Sequence, residues 1–546
     1  MRSDLLRPMR ASAWDTAKAR HLLNRAGFGI PSERYRELAR KTPAQAVDAL
    51  IDYEALPAAP NRPEFLLPSE ELEVERRAAR DLPEPERTKA FMEMRRRERA
   101  RIKRLKAWWL ERMATTARPL EEKMTLFWHG HFATSAQKVQ SSWWNHHLND
   151  VFRSNATGNF KVLTTEVGTS PAMLHYLDNR QNRRGKPNEN WARELMELFT
   201  MGVGNYTEDD IKESARAFTG WMFDDYAFVF NPRAHDNGTK TFLGERGNFD
   251  GWDIIDILFK QPVTAKFIAE KLWAFFAYEN PEPEGIAVLA QIFREHNYEL
   301  KPVLRQLFLS EAFYSERAMG SQIKSPVQFM LQLVHNLELE SPPYGPMTQG
   351  TAALGQNLFY PPNVKGWDGG RAWINANTLL FRYNIPKMLI VAAAQQRRID
   401  DDPSMGGENA MDRGMGMKPH EQFRRYMQGL PQEERKRIRR QLGRASTDMD
   451  RRRMVMEIVK TQPLEGLWDA RPLFSGVSRG TRSDFVRHLA GRFLSVPITQ
   501  AQTRILAEAL HPNATDDTLL YPRDLEEKNM FATVHLLVGL AEYQLC

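Results

Sequence analysis

The residues whose types and spacing could do chemistry lie on one predicted helix, which begins near Asn190 and ends at Gly202. Asn190, Glu194 and Glu197 are spaced i, i+4 and i+7, which places them along one stripe of this helix. Apolar and aromatic residues surround the stripe, so we expect its carboxylates to be partly buried. A buried carboxylate needs an arginine, a hydrogen-bond network or a metal ion as its partner.

A second pair lies beside this stripe, because Glu189 and Arg193 are also spaced i, i+4. Two neighbouring carboxylates with a histidine could divide the acid and base roles in hydrolysis. The arginine could hold an anionic group or orient a carboxylate. We therefore predict a catalytic set formed by Glu189, Arg193, Glu194, Glu197 and His131.

The motif His129-Gly130-His131 is the best candidate for metal binding. On a regular helix, residues i and i+2 project about 200° apart and cannot share an ion. The two imidazoles would converge only if the chain left the helix at Gly130, which a glycine permits. With Glu194 and Glu197 they would form a site for a divalent transition metal such as zinc, iron or manganese. The alternative is that one histidine hydrogen-bonds to a carboxylate and the other packs on a tryptophan.

Two loops supply candidate substrate-binding residues. His235 and Asp236 lie in one loop, where they could bind a ligand or simply cap a turn. Trp367, Arg371 and Trp373 lie among the glycines of a second loop and could form a platform for sugar stacking or a lid. The alternative is that the two tryptophans fasten this loop to the core.

Composition excludes several classes of protein. The chain has 546 residues, a net charge of +7 and one cysteine, Cys546, so it is neither a disulfide scaffold nor a zinc ribbon. Walker A and GxGxxG motifs are absent from the sequence. The basic run over residues 87–106 lacks interleaved aromatic residues, which favours a solvated helix over nucleic-acid binding. Residues 1–14 contain no apolar run of signal-peptide length, and no stretch of the sequence approaches 18 apolar residues, so we expect a cytoplasmic chain.

Helical signals outnumber strand signals, so we predict a mainly α fold. It would be a large multi-helix body with a small β-hairpin/loop insertion, whose turn is predicted at Asn237-Gly238, and a helical C-terminal region. Five segments are predicted: N-terminal helices (1–54), a proline-rich linker with a charged helical arm (55–118), a central helical domain carrying the candidate site (119–394), a flexible Met/Gly/Asp-rich linker (395–419) and a basic helical region (420–546).

Several motifs together resemble a known family. They are LNRAGFG at 23–29, FWHGHFATS at 127–135, NENWARE at 188–194, YTEDD at 206–210, FTGW at 218–221 and KGW at 365–367. The resemblance is to the bacterial family catalogued as domain of unknown function 1800, and it extends from about residue 17 to the end of the sequence. It implies no particular activity. Members often look like exported proteins encoded beside a partner that resembles the alkaline phosphatase and sulfatase superfamily.

Two functional hypotheses follow. The first is a hydrolase, with or without a metal, that acts on a glycan or another polymer. The second is a non-catalytic folding, export or assembly partner of a phosphatase/sulfatase-like protein. The second hypothesis also offers a periplasmic location, because a chain without its own leader could be exported with a partner that carries the signal.

Overall fold

The computed structural model describes residues 4–29, 32–67, 69–224, 227–401, 436 and 467–546. Within these residues the protein is mainly α, as predicted, with 21 α-helices and two small antiparallel sheets. Most of the predicted linker over residues 395–419 and the arginine-rich part of the predicted basic region lie outside the described residues. The described helices do not include one with the length and apolarity needed to cross a membrane.

The described residues within 1–335, 351–374 and 544–546 form one compact unit. Its helices, up to α16, are α1 (Thr16–Arg25), α2 (Ser32–Ala39), α3 (Pro43–Ile51), α4 (Ser69–Arg80), α5 (Glu86–Thr115), α6 (Pro119–His131), α7 (Ser142–Ser154), α8 (Phe160–Thr169), α9 (Pro171–Tyr176), α10 (Asn190–Glu194), α11 (Glu208–Ala217), α12 (Gly251–Lys260), α13 (Pro262–Phe276), α14 (Pro283–Glu295), α15 (Leu300–Leu309) and α16 (Pro326–Asn336). A π-helix, Leu195–Thr200, directly continues α10.

The described residues within 336–350 and 375–543 form a second compact unit. Helix α17 (Tyr344–Ala353) begins in this unit. The unit also holds α18 (Ala376–Asp401), α19 (Arg482–Phe493), α20 (Gln500–Leu510) and α21 (Glu527–Gly539). Helices α19 and α20 both begin with a capping box, in which a threonine side chain accepts a hydrogen bond from the backbone three residues later.

Almost all residues of helix α6 are buried, so this helix runs through the core of the first unit. It begins at Pro119, whose missing N–H costs nothing in the first turn of a helix. Its tryptophan, Trp128, donates a hydrogen bond to the carbonyl of Ala156, and its ring stacks on Phe160. Any side chain on α6 is therefore held in a fixed position by its surroundings.

The predicted β insertion is present as two short hairpins. Strand β1 (Trp221–Phe223) pairs with β2 (Phe228–Phe230), and β3 (Lys240–Phe242) pairs with β4 (Glu245–Gly247). The prediction of a hairpin turn at Asn237-Gly238 is wrong, because the second hairpin turns at Leu243 and Gly244. Both of these residues have positive φ, as a two-residue type I′ turn requires.

Candidate functional site

Helix α6 continues without a break through Gly130 to His131. The condition for the two imidazoles to converge, a departure from the helix at Gly130, is therefore not met, and they project from different sides of the helix. The glycine has another role. Its carbonyl oxygen would lie 2.1 Å from a Cβ added at Gly366, so the two backbones are in direct contact. The HGH and KGW motifs are thus parts of one packing contact.

His129 is a buried hydrogen-bond acceptor. Its Nε2 accepts a hydrogen bond from the backbone N–H of Phe359 at 3.0 Å. Its ring packs against Trp109, Phe359 and Trp367, with centroids 5.1 to 5.6 Å away. Burial lowers the pKa of His129 to about 3. The imidazole is therefore neutral at physiological pH and holds the chain around residue 359 against α6.

His131 lies among other aromatic rings and contacts the π-helix. Its Nε2 is 3.0 Å from the carbonyl oxygen of Phe199, so Nε2 carries the proton and donates to this oxygen. Its Nδ1 is buried and has no hydrogen-bond partner. Burial, together with the charge of Lys271, lowers the pKa of His131 well below its usual value. Lys271 is itself half-buried, and desolvation followed by the charge of Lys365 lowers its pKa to about 8.

The predicted helix over 190–202 is present, but its second half is π-helical. The N–H groups of Met201 and Gly202 both donate to the carbonyl of Met196, five and six residues earlier. Gly202 has φ +79°, the left-handed conformation that a glycine adopts at a helix end. Because π-helical turns inside α-helices occur frequently at functional sites, this segment is a candidate for a catalytic or binding site.

Glu194 and Glu197 lie at the start of this π-helical segment, in different surroundings. Burial and then the charge of Glu197 raise the pKa of Glu194. Glu197 accepts a hydrogen bond from the hydroxyl of Tyr206 at 3.1 Å. The charge of Glu194 in turn contributes to raising the pKa of Tyr176. The structure therefore brings together two half-buried carboxylates and two tyrosines.

The other members of the predicted catalytic set are placed differently. Arg193 donates to both oxygens of Glu208 at 2.8 and 2.9 Å and to Glu189 at 3.2 Å. This cluster is partly exposed to solvent. Glu208 and Glu189 thus serve as the partners of Arg193, while Glu194 and Glu197 lie in the different surroundings described above.

The predicted metal ligands are not gathered around one point. In the part of the chain that the structure describes, no three His, Cys, Asp or Glu side chains are arranged to hold a metal ion. The groups that shift the pKa of His129 and His131 do not include Glu194 or Glu197. Both histidines use their Nε2 atoms in hydrogen bonds to the backbone instead.

His235 and Asp236 hold the loop before β3 in place. His235 Nδ1 is 2.8 Å from the carbonyl oxygen of Thr219. Asp236 accepts two hydrogen bonds from Arg216, at 2.8 and 3.2 Å, and this guanidinium lowers the pKa of Asp236 to about 2. The buried Lys240 donates to the carbonyls of Asp236 and Gly238. These contacts give His235 and Asp236 a structural role, which is to position the loop before β3.

The glycine-rich loop offers one accessible ring. Trp373 is buried, and Arg371 is exposed. Trp367 is half-buried, with one side of its ring facing His129 and Gly130. A surface for sugar stacking in this loop would have to come from Trp367.

A buried ion network escaped the sequence analysis. Glu122, fully buried near the start of α6, accepts hydrogen bonds from Arg112 of α5, from Arg153 of α7 and from the indole N–H of Trp109. Burial alone would raise the pKa of Glu122, but the charges of Arg153 and Arg112 hold it below its usual value. Arg112 also donates to the carbonyl of Pro60 at 2.7 Å. In the sequence, the feature that indicates this network is Arg112, which follows Trp108 and Trp109 by about one helical turn.

Comparison with known proteins identifies the family. The family model described as a protein of unknown function, DUF1800, matches residues 21–545. The chain belongs to the DUF1800 family. No curated protein and no solved structure matches this DUF1800 chain. The resemblance inferred from the motifs is confirmed over nearly the whole sequence, and the function of this DUF1800 protein has to be argued from its own residues.

Proposed function

We propose that the protein is a hydrolase in which Glu194 and Glu197 divide the acid and base roles, acting on a glycan or another polymer. The observation that carries this proposal is the unlike environment of two adjacent carboxylates on a π-helical segment. Pairs of titratable groups whose surroundings differ in this way are typical of acid–base catalysis.

The two roles follow from the contacts. Glu194 keeps its proton to a higher pH than an ordinary glutamate and serves as the general acid, giving that proton to the leaving oxygen. Glu197, held by the Tyr206 hydroxyl, serves as the base that takes a proton from the attacking water. Tyr206, which hydrogen-bonds to Glu197, and Tyr176, whose pKa is raised in part by the charge of Glu194, offer ring faces on which sugar rings could pack.

Replacing Glu194 with glutamine should lower the hydrolysis rate about 10²- to 10⁴-fold, the usual contribution of one acid–base group. Wild-type activity should fall as the pH rises through the raised pKa of Glu194, since only the protonated acid can donate. In Glu194→Gln, the activity that remains should not show this fall with rising pH. The measurement is release of reducing ends from xylan, chitosan, carboxymethylcellulose and peptidoglycan across a pH series.

Glu245→Gln is the matched control, because Glu245 is also a half-buried glutamate and its carboxylate is paired with Lys260. Equal activity and an unchanged pH profile in Glu194→Gln and in the wild type would contradict the assignment. So would the absence of hydrolysis of every polymer by a wild-type protein that is folded by circular dichroism.

A second function, binding of another protein, is favoured by a different observation. Three large apolar side chains of α18 are exposed: Leu379, Leu380 and Met388. Exposed apolar side chains grouped on one helix are typical of an interaction surface. The occupant we favour is the phosphatase/sulfatase-like protein that the family resemblance implies as a neighbour.

This second function predicts that Leu380→Glu with Met388→Glu weakens binding of that purified partner at least tenfold in calorimetric titration. A buried charge at such a surface is costly. Ile505→Glu is the control, since Ile505 is an exposed apolar residue on another helix of the same unit. If the double variant bound the partner with unchanged affinity, α18 would not be part of the interface.

A further inference from the structure

Helix α5 carries the basic run of residues 87–106. Four cations of this run are spaced by four, four and three positions, so they follow one line along the helix and form what we call the basic stripe: Arg95, Arg99, Lys103 and Lys106. Because a helix rises about 1.5 Å per residue, the stripe is roughly 16 Å long. Its two arginines are exposed, and its two lysines are half-buried.

The arginines of the stripe differ from their neighbours on the same helix. Other arginines of α5 are neutralised by glutamates, in the pairs Arg96–Glu93, Arg97–Glu75 and Arg101–Glu98. Among the residues that the structure describes, neither Arg95 nor Arg99 has an ion-pair partner. These two arginines therefore present positive charge to solvent that the described part of the chain does not neutralise.

The stripe ends beside a loop of the same unit. The Nζ of Lys106 donates to the side-chain oxygen of Asn357 at 3.0 Å, which is a neutral acceptor. The same ammonium lies 5.3 Å from the centroid of the Tyr360 ring. Burial raises the pKa of Tyr360, and the charge of Arg99 opposes this rise. A ligand that followed the stripe would thus meet cations over about three helical turns.

Clusters of lysine and arginine along one helix face are typical binding sites for nucleic acids and for acidic polysaccharides. Single-stranded nucleic acid stacks its successive bases on aromatic side chains. In the described part of the chain, the ring that lies against the stripe is Tyr360, and Lys106 already lies over this ring. The stripe therefore offers charge without the stacking platform that bases require.

A protein partner is also a poorer match for this surface. The centre of a stable protein interface is apolar and depleted of charge. Helix α5, which is described in full, exposes one large apolar side chain, Met92. A linear polymer with a carboxylate on each sugar needs no apolar centre, because arginine binds a carboxylate through two parallel N–H groups and lysine adds a point charge.

We propose that the basic stripe binds a linear acidic polysaccharide that carries a carboxylate on each sugar, such as polygalacturonate. The choice of a polysaccharide rests on the proposed function, whose polymer it specifies. Binding at the stripe does not require hydrolysis, so each proposal has its own measurement.

Calorimetric titration of the full chain measures the binding, with polygalacturonate and uncharged dextran as ligands at about 50 mM and about 200 mM sodium chloride. The wild type should bind polygalacturonate and not dextran, and binding should weaken at the higher salt because exposed charges are screened. The double variant Arg95→Gln/Arg99→Gln should bind at least fivefold more weakly. Its unfolding temperature should match that of the wild type, since both side chains are exposed.

The matched control is Arg77→Gln/Arg87→Gln. It removes the same charge from two arginines of α4 and α5 that are paired with Glu73 and Glu84. This control should keep its affinity within twofold of the wild type. An equal loss in both double variants would overturn the proposal, because net charge alone would then explain the binding. So would a wild type that does not bind polygalacturonate at the lower salt, or one that binds single-stranded oligodeoxythymidine more tightly.

The stripe and the proposed hydrolase can be told apart. Glu194→Gln should bind polygalacturonate as tightly as the wild type. If the wild type binds through the stripe but releases no reducing ends from any polymer, the hydrolase is wrong and the stripe is supported. If Arg95→Gln/Arg99→Gln binds and hydrolyses polygalacturonate as the wild type does, the role of the stripe is overturned and the hydrolase is supported.

Discussion

Replacing Glu122 with glutamine is expected to lower the free energy of unfolding by about 3–5 kcal/mol, the usual cost of removing one partner from a buried ion pair. Glu122 accepts hydrogen bonds from Arg153 at 2.6 and 3.2 Å and from Trp109 at 2.8 Å, and it also bonds to Arg112. A neutral amide would remove the closest counter-charge of two buried guanidinium groups, which would keep only the longer contacts of Arg112 with Glu121 (3.6 Å) and of Arg153 with Asp150 (3.7 Å). Denaturant titration at pH 7 measures the effect.

The same network predicts how the difference depends on pH. The folded-state pKa of Glu122 is lowered, so its stabilising effect is present above its ordinary pKa of 4.5 and is lost as the pH falls through the folded-state value. The gap between the wild type and Glu122→Gln should therefore narrow below about pH 4.5. Glu245→Gln, at a solvent-accessible pair with Lys260, should cost under about 1 kcal/mol. Equal losses in the two variants would show that the network adds nothing beyond a surface pair.

Replacing Gly366 with alanine is the second change with a large expected effect. The new Cβ would lie 2.1 Å from the carbonyl oxygen of Gly130, and Gly366 has φ +88°. The left-handed backbone costs roughly 1–3 kcal/mol for a residue other than glycine, and overpacking typically adds about 1–3 kcal/mol. We therefore expect the free energy of unfolding to fall by about 2–6 kcal/mol, measured by denaturant titration followed by tryptophan fluorescence.

Gly369→Ala separates the two contributions. Gly369 also has positive φ, at +74°, but nothing lies within 4 Å of a Cβ added there. Its substitution should carry only the backbone cost. If both variants lost the same stability, the contact between α6 and the KGW loop would have no energetic role, and the packing explanation of the two motifs would be wrong.

Local patterns predicted the features that depend on near neighbours in the chain. The capping box of Thr207 and Asp210 is present, with Thr207 accepting from the Asp210 backbone and Asp210 accepting in return. The helix end at Gly202 and the mainly α class were also predicted. Each depends on contacts within a few residues, so the sequence alone carries the information.

The candidate site was predicted only in part, because its geometry depends on contacts distant in sequence. Helical spacing placed Glu194 near Glu197, and the structure agrees through the effect of Glu197 on the pKa of Glu194. Spacing could not show that Tyr206 would donate to Glu197, or that Arg193 would turn to Glu208. Nor could it show that the helix would become π-helical after Glu194.

The sequence by itself determined the helices, their caps and the family, since these reside in local propensities and short motifs. Tertiary structure decided the ionic and packing partners. Glu122 contacts Arg153, which is 31 residues away in the sequence, and Gly130 contacts Gly366, which is much farther away in the sequence. Burial then set the charge state of each group, because the cost of desolvation depends on what surrounds a side chain and not on its neighbours in the chain.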